Sequence, residues 1–421
     1  MQCERLTANA GDLAITAAAL RARIPAPDSV RDAVGEIIER VRAAGDRALL
    51  DYTRTFDTAG EEPRPLFVTE AELEAATAGL DRAVEHGILR AIENLEAVMV
   101  GWVGRERDVD HGPSRIILRH APVARAAVYV PGGRAPYPST VVMGVVPARL
   151  AGVEHIAVCA PPRRDGEVDA TVLAACRLTG ATAVYRMGGA HAIAALAYGT
   201  ESIRPVDVIV GPGNLYVQEA KRQAFGQVGI DGFAGPSDLL AIAAADANPE
   251  SLALDLLAQA EHGPGTLVVA VSDSQKVLDA LETRLADAVD TGAVAALIDT
   301  SDLEQALELA QSFAPEHLQL VGEAAEALAD RVTTAGCLFV GANAGTAFGD
   351  YIAGSDHILP TNGAARFASG LSPDHFVRRF CEVHLAEATE LARSAAPLAR
   401  AEGFELHARS MEARIRENDP Q

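Results

Sequence analysis

The stretch AAVYVPGGRAPYPSTVVMGVVPARLAG, residues 126–152, decides the fold. Ala126 to Val130 form a short, wholly apolar run, the signature of a strand buried on both faces. A Pro-Gly-Gly turn follows, and an apolar helical run begins at Ser139. A buried strand that passes through glycines into a helix opens a βαβ unit and argues for a parallel sheet. The alternation continues downstream. HIAVCAPP (155–162) reads as a strand, ATVLAACRLTG (170–180) as a helix, AVYRMGG (183–189) as a strand and AHAIAALAYGT (190–200) as a helix. VDVIVGPGN (206–214) and LYVQEAKRQAFG (215–226) repeat the pair.

The alternation then restarts. LLAIAA (239–244) and TLVVAVS (266–272) flank the helix PESLALDLLAQAEH, and AALID, HLQLVG and GCLFVG complete a second series. We read an α/β chain of two modules of similar build. Residues 28–105 ahead of them read as mostly helical with polar faces. After about residue 370 the chain reads as nearly all helix, with apolar stripes and no strand of its own. Such a tail is expected to dock elsewhere, on a second subunit.

Composition narrows the function. A chain of 421 residues exceeds one ordinary core, and 49% hydrophobic with 22% charged residues is globular. The formal net charge of -22 argues against nucleic acid and anionic membranes as partners. Lys221 and Lys276 are the two lysines, which leaves little room for Schiff-base chemistry. Five scattered cysteines without CxxC spacing suggest a reducing cytoplasm. No basic leader precedes a long apolar run, and no transmembrane helix is expected.

Several stretches carry candidate chemistry. In LLAQAEHGPG (256–265), Gln259 and His262 share a helix face, as a capping pair or half of a metal site. FAPEHLQL (313–320) sets Glu316 beside His317 at a helix-to-strand turn. That pair is either a surface turn or a proton acceptor with a second base. GDYIAGSDHILPT (349–361) holds Asp350, Asp356 and His357 between glycines. AEGFELHARS (401–410) holds Glu402 and His407, either a solvated face or site residues. Gln259, His262, Asp350 and His407 together offer nitrogen and oxygen donors that suit Zn²⁺ without cysteine. GPGN (211–214) and YVPGG (129–133) are turns able to admit a pyrophosphate or ribose, although no GxGxxG follows a strand.

These stretches fall in a familiar order. VRAAGDRALLDYTRTFD (41–57), GGAHAIAALAYGTE (188–201), AGPSD (234–238), DLLAQAEH (255–262), APEHL (314–318), HILPTNGAARFASGLS (357–372) and AEGFELHA (401–408) together resemble the histidinol dehydrogenase family over nearly the whole chain. The resemblance implies oxidation of L-histidinol to L-histidine, the last step of histidine biosynthesis, with NAD as oxidant and one zinc per site. It implies zinc on Gln259, His262, Asp350 and His407, His317 as base and Glu316 as activator of water. It makes Ser237, His357 and Glu402 substrate contacts and Tyr129, His191 and Asn214 cofactor contacts. It further implies an aldehyde-dehydrogenase-like fold of two incomplete Rossmann-type modules and an intertwined homodimer, with His407 and Glu402 donated across the interface. The expected divisions are a helical arm over 1–25, a first α/β domain over 26–128 and 239–370, an NAD-binding domain over 129–238 and a helical dimerisation tail over 371–421.

The chain departs from the family pattern at His191 (usually Gln), at Asp356 (usually Asn), at Gly263 and in ANAGTAF (342–348). Those changes leave open a zinc- and NAD-dependent paralogue acting on another small alcohol. A binding protein without catalysis is the remaining reading, and it has no use for the Glu316-His317 pair. Retention of His357 and Glu402 favours histidinol.

Overall fold

The computed structural model describes residues 1–415 apart from 2, 10, 24–26, 105, 133–134 and 234, with the backbone alone at 27–28. Gly133 of the YVPGG turn therefore lies outside the described residues. In chain order the strands are β1 (Cys3–Thr7), β2 (Arg107–His111), β3 (Ser114–Pro122), β4 (Arg125–Tyr129), β5 (His155–Ala160), β6 (Ala183–Arg186) and β7 (Val208–Val210). They continue with β8 (Gly229–Ile230), β9 (Asp238–Ala243), β10 (Leu267–Ser272), β11 (Val294–Asp299), β12 (His317–Val321), β13 (Cys337–Val340) and β14 (Val377–Leu385). The chain divides into a larger unit, Met1–Trp102 with Val123–Phe376, and a smaller one, Val103–Pro122 with the chain from Val377 onward.

Two parallel sheets build the larger unit. One has the order β6-β5-β4-β7-β8, the other β1-β11-β10-β9-β12-β13. The apolar runs become strands covered on both faces, as every residue of β9 and β10 is buried. Side chains alternate across the sheet. Ala126 and Val128 pack into one core cluster, and Ala127 and Tyr129 into the cluster on the other face.

Three expectations about organisation change here. The helices Arg31–Tyr52 and Arg82–Met99 cover the five-stranded sheet: Val34, Ile38 and Val41 share a cluster with Tyr129, and Ile92 and Leu95 share one with Val128. Residues 31–99 of the expected first domain thus group with 129–238 and not with 239–370, and its residues 103–122 fall in the smaller unit, because an apolar helix stripe does not specify which sheet it will cover. The N-terminal arm is not all helix. β1 adds to the edge of β11, and the helix Leu13–Arg21 buries Leu13, Ala17 and Leu20. The tail is not all helix either. In the smaller unit β14 pairs antiparallel with β3 along nine residues, and β3 with β2, before the helices Thr389–Ala401 and Glu405–Glu412. Charged residues on both faces of β14 (VRRFCEVHL) hid its alternation. Among the described residues no helix is long and apolar enough to cross a membrane.

One buried ion pair shapes the edge of the five-stranded sheet. Lys221 is wholly buried and donates to the Gly211 carbonyl at 2.9 Å and to Asp231, which accepts the Gly211 N–H at 2.7 Å. Gly211 has φ +112°, and a Cβ there would stand 2.1 Å from the Tyr129 carbonyl oxygen, so the turn tolerates only glycine. Lys221→Met is expected to cost roughly 3–5 kcal/mol, because it leaves the largely buried Asp231 without its counterion. Urea unfolding of both proteins measures this, and a loss under about 1 kcal/mol, the range of exposed pairs, would refute it.

Candidate active site

A cavity of about 790 Å³ lies in the larger unit. It faces the C-terminal ends of β4 and β7 on one side and the N-terminal ends of β9 and β12 on the other. Tyr129, Asn214, Ser237, His262, Glu316, His317, Asp350 and His357 all line it. Asn214 caps the helix Leu215–Ala224, accepting from the N–H groups of Tyr216 and Val217.

The Glu316-His317 pair opens β12, which lies beside β9 with His317 opposite Leu239. Asp238, the first residue of β9, therefore meets both residues. Its N–H donates to Glu316 Oε2 at 2.9 Å, and its Oδ1 accepts the Glu316 N–H at 2.7 Å. Its carbonyl accepts from His317 Nδ1 at 3.1 Å. A carbonyl can only accept, so Nδ1 carries a proton, and Nε2 is the nitrogen left for chemistry. Nε2 stands 3.6 Å from Asp350 Oδ1. Behind the pair, a Cβ on Gly336 would press to 2.6 Å from the Glu316 carbonyl oxygen.

Gln259 lies in the last turn of the helix Pro249–Ala260, whose first turn is capped by Asn248. Its amide nitrogen donates to Ser237 Oγ and lies 3.4 Å from His262 Nδ1, while the Ser237 hydroxyl donates to Glu316. His357 donates from Nδ1 to the Asp350 carbonyl at 2.8 Å, and its Nε2 faces the Thr140 hydroxyl at 3.3 Å.

Burial and neighbouring charge sort the titratable groups. Burial pushes Glu316 up to about 7 against the opposing pull of His317. Burial alone would lower His317, but the Glu316 and Asp350 carboxylates outweigh it and raise it to about 9. Burial would likewise raise Asp350, yet its hydrogen bond to His317 and the surrounding imidazoles hold it below the usual carboxylate range. Burial lowers His262 and His357.

The donor set fits a zinc ion in chemistry: a neutral imidazole on His262, an ionised Asp350 and the adjacent Gln259 amide. Among the described residues no three His, Cys, Asp or Glu side chains gather as a metal-holding group. The fourth expected ligand, His407, belongs to the smaller unit. There it is exposed, with its ring 5.1 Å from that of Phe404, and Glu402 is exposed at the end of the preceding helix.

Other candidates fall outside the cavity wall. His191 is buried, with its Nε2 3.5 Å from Asp57 and its Nδ1 against Gly189, whose N–H donates to the Tyr129 hydroxyl. Asp356 is buried, accepts from the Ile358 N–H at 2.7 Å, and is driven well above the usual carboxylate range by burial. The nearby Cys337 thiol is pushed by burial up to about 11, which makes it a poor nucleophile. Sequence reading missed Arg21, Thr140 and the role of Asp238. Asp238 follows Ser237 in AGPSD, where a strand-opening carboxylate was a usable signal; Arg21 carried none.

The chain matches the family model described as histidinol dehydrogenase over residues 21–415. It is 42% identical over 405 residues to the histidinol dehydrogenase of Parasynechococcus marenigrum, covering 92% of this chain and 91% of that one. It is 42% identical over 412 residues to that of Natronomonas pharaonis, covering 94% and 96%. The crystal structure of histidinol dehydrogenase from Elizabethkingia anophelis superimposes with a TM-score of 0.89 at 30% identity, covering 98% of each chain.

The His317 imidazole is expected to titrate near about 9, and Glu316→Gln is expected to lower that value. The sign follows from removing the nearby negative charge that favours the protonated ring. NMR titration of the ring measures both; an unchanged or raised value in Glu316→Gln would refute the coupling.

Proposed function

Because the chain belongs to the histidinol dehydrogenase family, we propose that it oxidises L-histidinol to L-histidine through bound histidinal, reducing two NAD as the last step of histidine biosynthesis. The observation that carries this reading is the Glu316-His317 pair in the cavity wall, with the His317 ring held by a backbone carbonyl so that Nε2 is the basic atom.

In the first step the neutral His317 ring, populated above its raised pKa of about 9, takes the proton of the alcohol at Nε2, and NAD when bound would supply the hydride acceptor. Water then adds to the aldehyde, and Glu316, raised to about 7, accepts a proton near neutrality. A second bound NAD would supply the acceptor for the second hydride, and loss of that hydride from the hydrated aldehyde would leave the carboxylate. No thioester is needed, in keeping with the raised pKa of Cys337. Gln259, His262, Asp350 and His407 would hold zinc, which supplies a template for the substrate imidazole. Ser237, His357 and Glu402 contact the substrate, and Tyr129 and Asn214 contact NAD. His191 acts on NAD through the Gly189–Tyr129 hydrogen bond, since its ring is buried behind that wall. Five free cysteines accord with a cytoplasmic enzyme.

We further propose a homodimer in which His407 and Glu402 complete the partner's site. Exposed Val383, Leu385, Leu398 and Leu406 on the smaller unit favour a covered surface.

NADH absorbance on adding histidinol tests the main reading, with two NADH per histidinol as the expected result. NADH formation only with some other alcohol would favour the paralogue. Glu316→Gln is expected to slow mainly the second step, while His317→Ala costs about 10²–10⁴-fold in the first. If Glu316→Gln harms the two steps equally when histidinal is supplied directly, the division of roles is wrong.

Mixing Asp350→Ala with His407→Ala tests the shared site. If His407 acts in trans, each mixed dimer keeps one intact site, and activity recovers to about a quarter of the wild-type value. No recovery after confirmed subunit exchange would rule the shared site out.

A further inference from the structure

We propose that Arg21 is a positioning residue for this reaction, acting through Asp238 on the Glu316-His317 pair; the inference rests on the activity proposed above. Arg21 ends the helix Leu13–Arg21. Its guanidinium touches two segments at once. Nη1 pairs with Asp238 Oδ2 at 3.2 Å, using the carboxylate oxygen that the Glu316 N–H leaves open. Nε donates to the Phe313 carbonyl and Nη2 to the Ala314 carbonyl, each at 2.9 Å. These carbonyls lie at the end of the helix Leu303–Phe313, where a positive group is favoured. The guanidinium carbon also sits 3.9 Å over the Phe313 ring.

Both segments lead directly into the site. Ala314 has φ +50°, a left-handed conformation that a non-glycine residue holds only when its surroundings impose it. Two residues later comes Glu316. Asp238 is wholly buried and gives Glu316 and His317 three hydrogen bonds through its N–H, Oδ1 and carbonyl. Arg21 thus ties the turn that delivers the pair to the residue that orients it. The arm does not need the guanidinium for anchoring, because Leu13, Ala17 and Leu20 are buried in the core with Leu307 and Phe313. Loss of the charge should therefore leave the arm packed, at a cost in stability from the uncompensated Asp238, and disturb the geometry of the pair.

The test compares the full-length wild type with Arg21→Met, Arg21→Lys, Asp238→Asn and the Arg21→Met/Asp238→Asn double variant, using histidinol and NAD. Each of Arg21→Met and Asp238→Asn is expected to lower kcat about 10²-fold with KM for NAD within about twofold, since misplacement acts on the chemical step. The double variant is expected to lose no more than either single one, because the two residues act as one unit. Arg21→Lys should recover part of the loss, as an ammonium can hold Asp238 but not both carbonyls. Arg21→Met is expected to melt lower, because Asp238 stays buried without its counterion, while circular dichroism at the assay temperature and active-site counts should match the wild type. Three results would overturn the proposal: kcat of Arg21→Met within about twofold of wild type, losses that multiply to about 10⁴-fold in the double variant, or a kcat loss that follows a loss of active sites. A wild type that does not oxidise histidinol refutes the activity itself; an active wild type with an unimpaired Arg21→Met refutes only the role of Arg21.

Discussion

The parallel pairing of β9 with β12 is the contact on which the site depends. Both strands run in one direction, so their first residues emerge at the same edge of the sheet. Backbone groups at a strand end lack ladder partners and must find others. Here the Asp238 N–H and carbonyl find the Glu316 carboxylate and the His317 ring. The bonds that satisfy the end of the strand are the same bonds that orient the Glu316 carboxylate and the His317 ring. Residues 78 positions apart in the chain meet only because β12 returns to lie beside β9.

The cavity joins opposite ends of two sheets. β4 and β7 present their C-terminal turns to it, the usual edge for a nucleotide in an α/β module. β9 and β12 present their N-terminal ends. A cofactor held by the first edge would face the Glu316-His317 pair at the second, with His317 the first residue of β12 and Glu316 immediately before it. Glycine is what allows the close approach, since at Gly211 any side chain would strike the Tyr129 backbone.

Electrostatics in the cavity follow from how few charges are compensated. Burial alone would neutralise Glu316, His317 and Asp350 together, and mutual attraction keeps part of the set ionised. His262 and His357 lie close to these groups but titrate lower, which leaves them as neutral imidazoles. One volume thus holds groups able to exchange protons and groups able to donate lone pairs, separated by environment and not by residue type.

The repeating apolar strands and helices were legible in the sequence because buried parallel strands need continuous apolar runs, and the chain positions of β4–β7 and β9–β13 follow from that pattern, whereas the two-residue β8 is too short to show it. Glu316, His317, Asp350 and His357 were legible as polar residues set among glycines and turns in an otherwise apolar series. Other features were decided by the tertiary structure alone. The short β1 has too few residues for a period, β14 carries charges on both faces, and the N-terminal helices had no mark of which sheet they would cover. Arg21 is one arginine of an arginine-rich chain until folding sets it between Asp238 and the end of a helix. Local pattern records which face of an element is apolar. Which faces and ends meet is set by packing between segments far apart in the chain, and it is there that the reactive geometry arises.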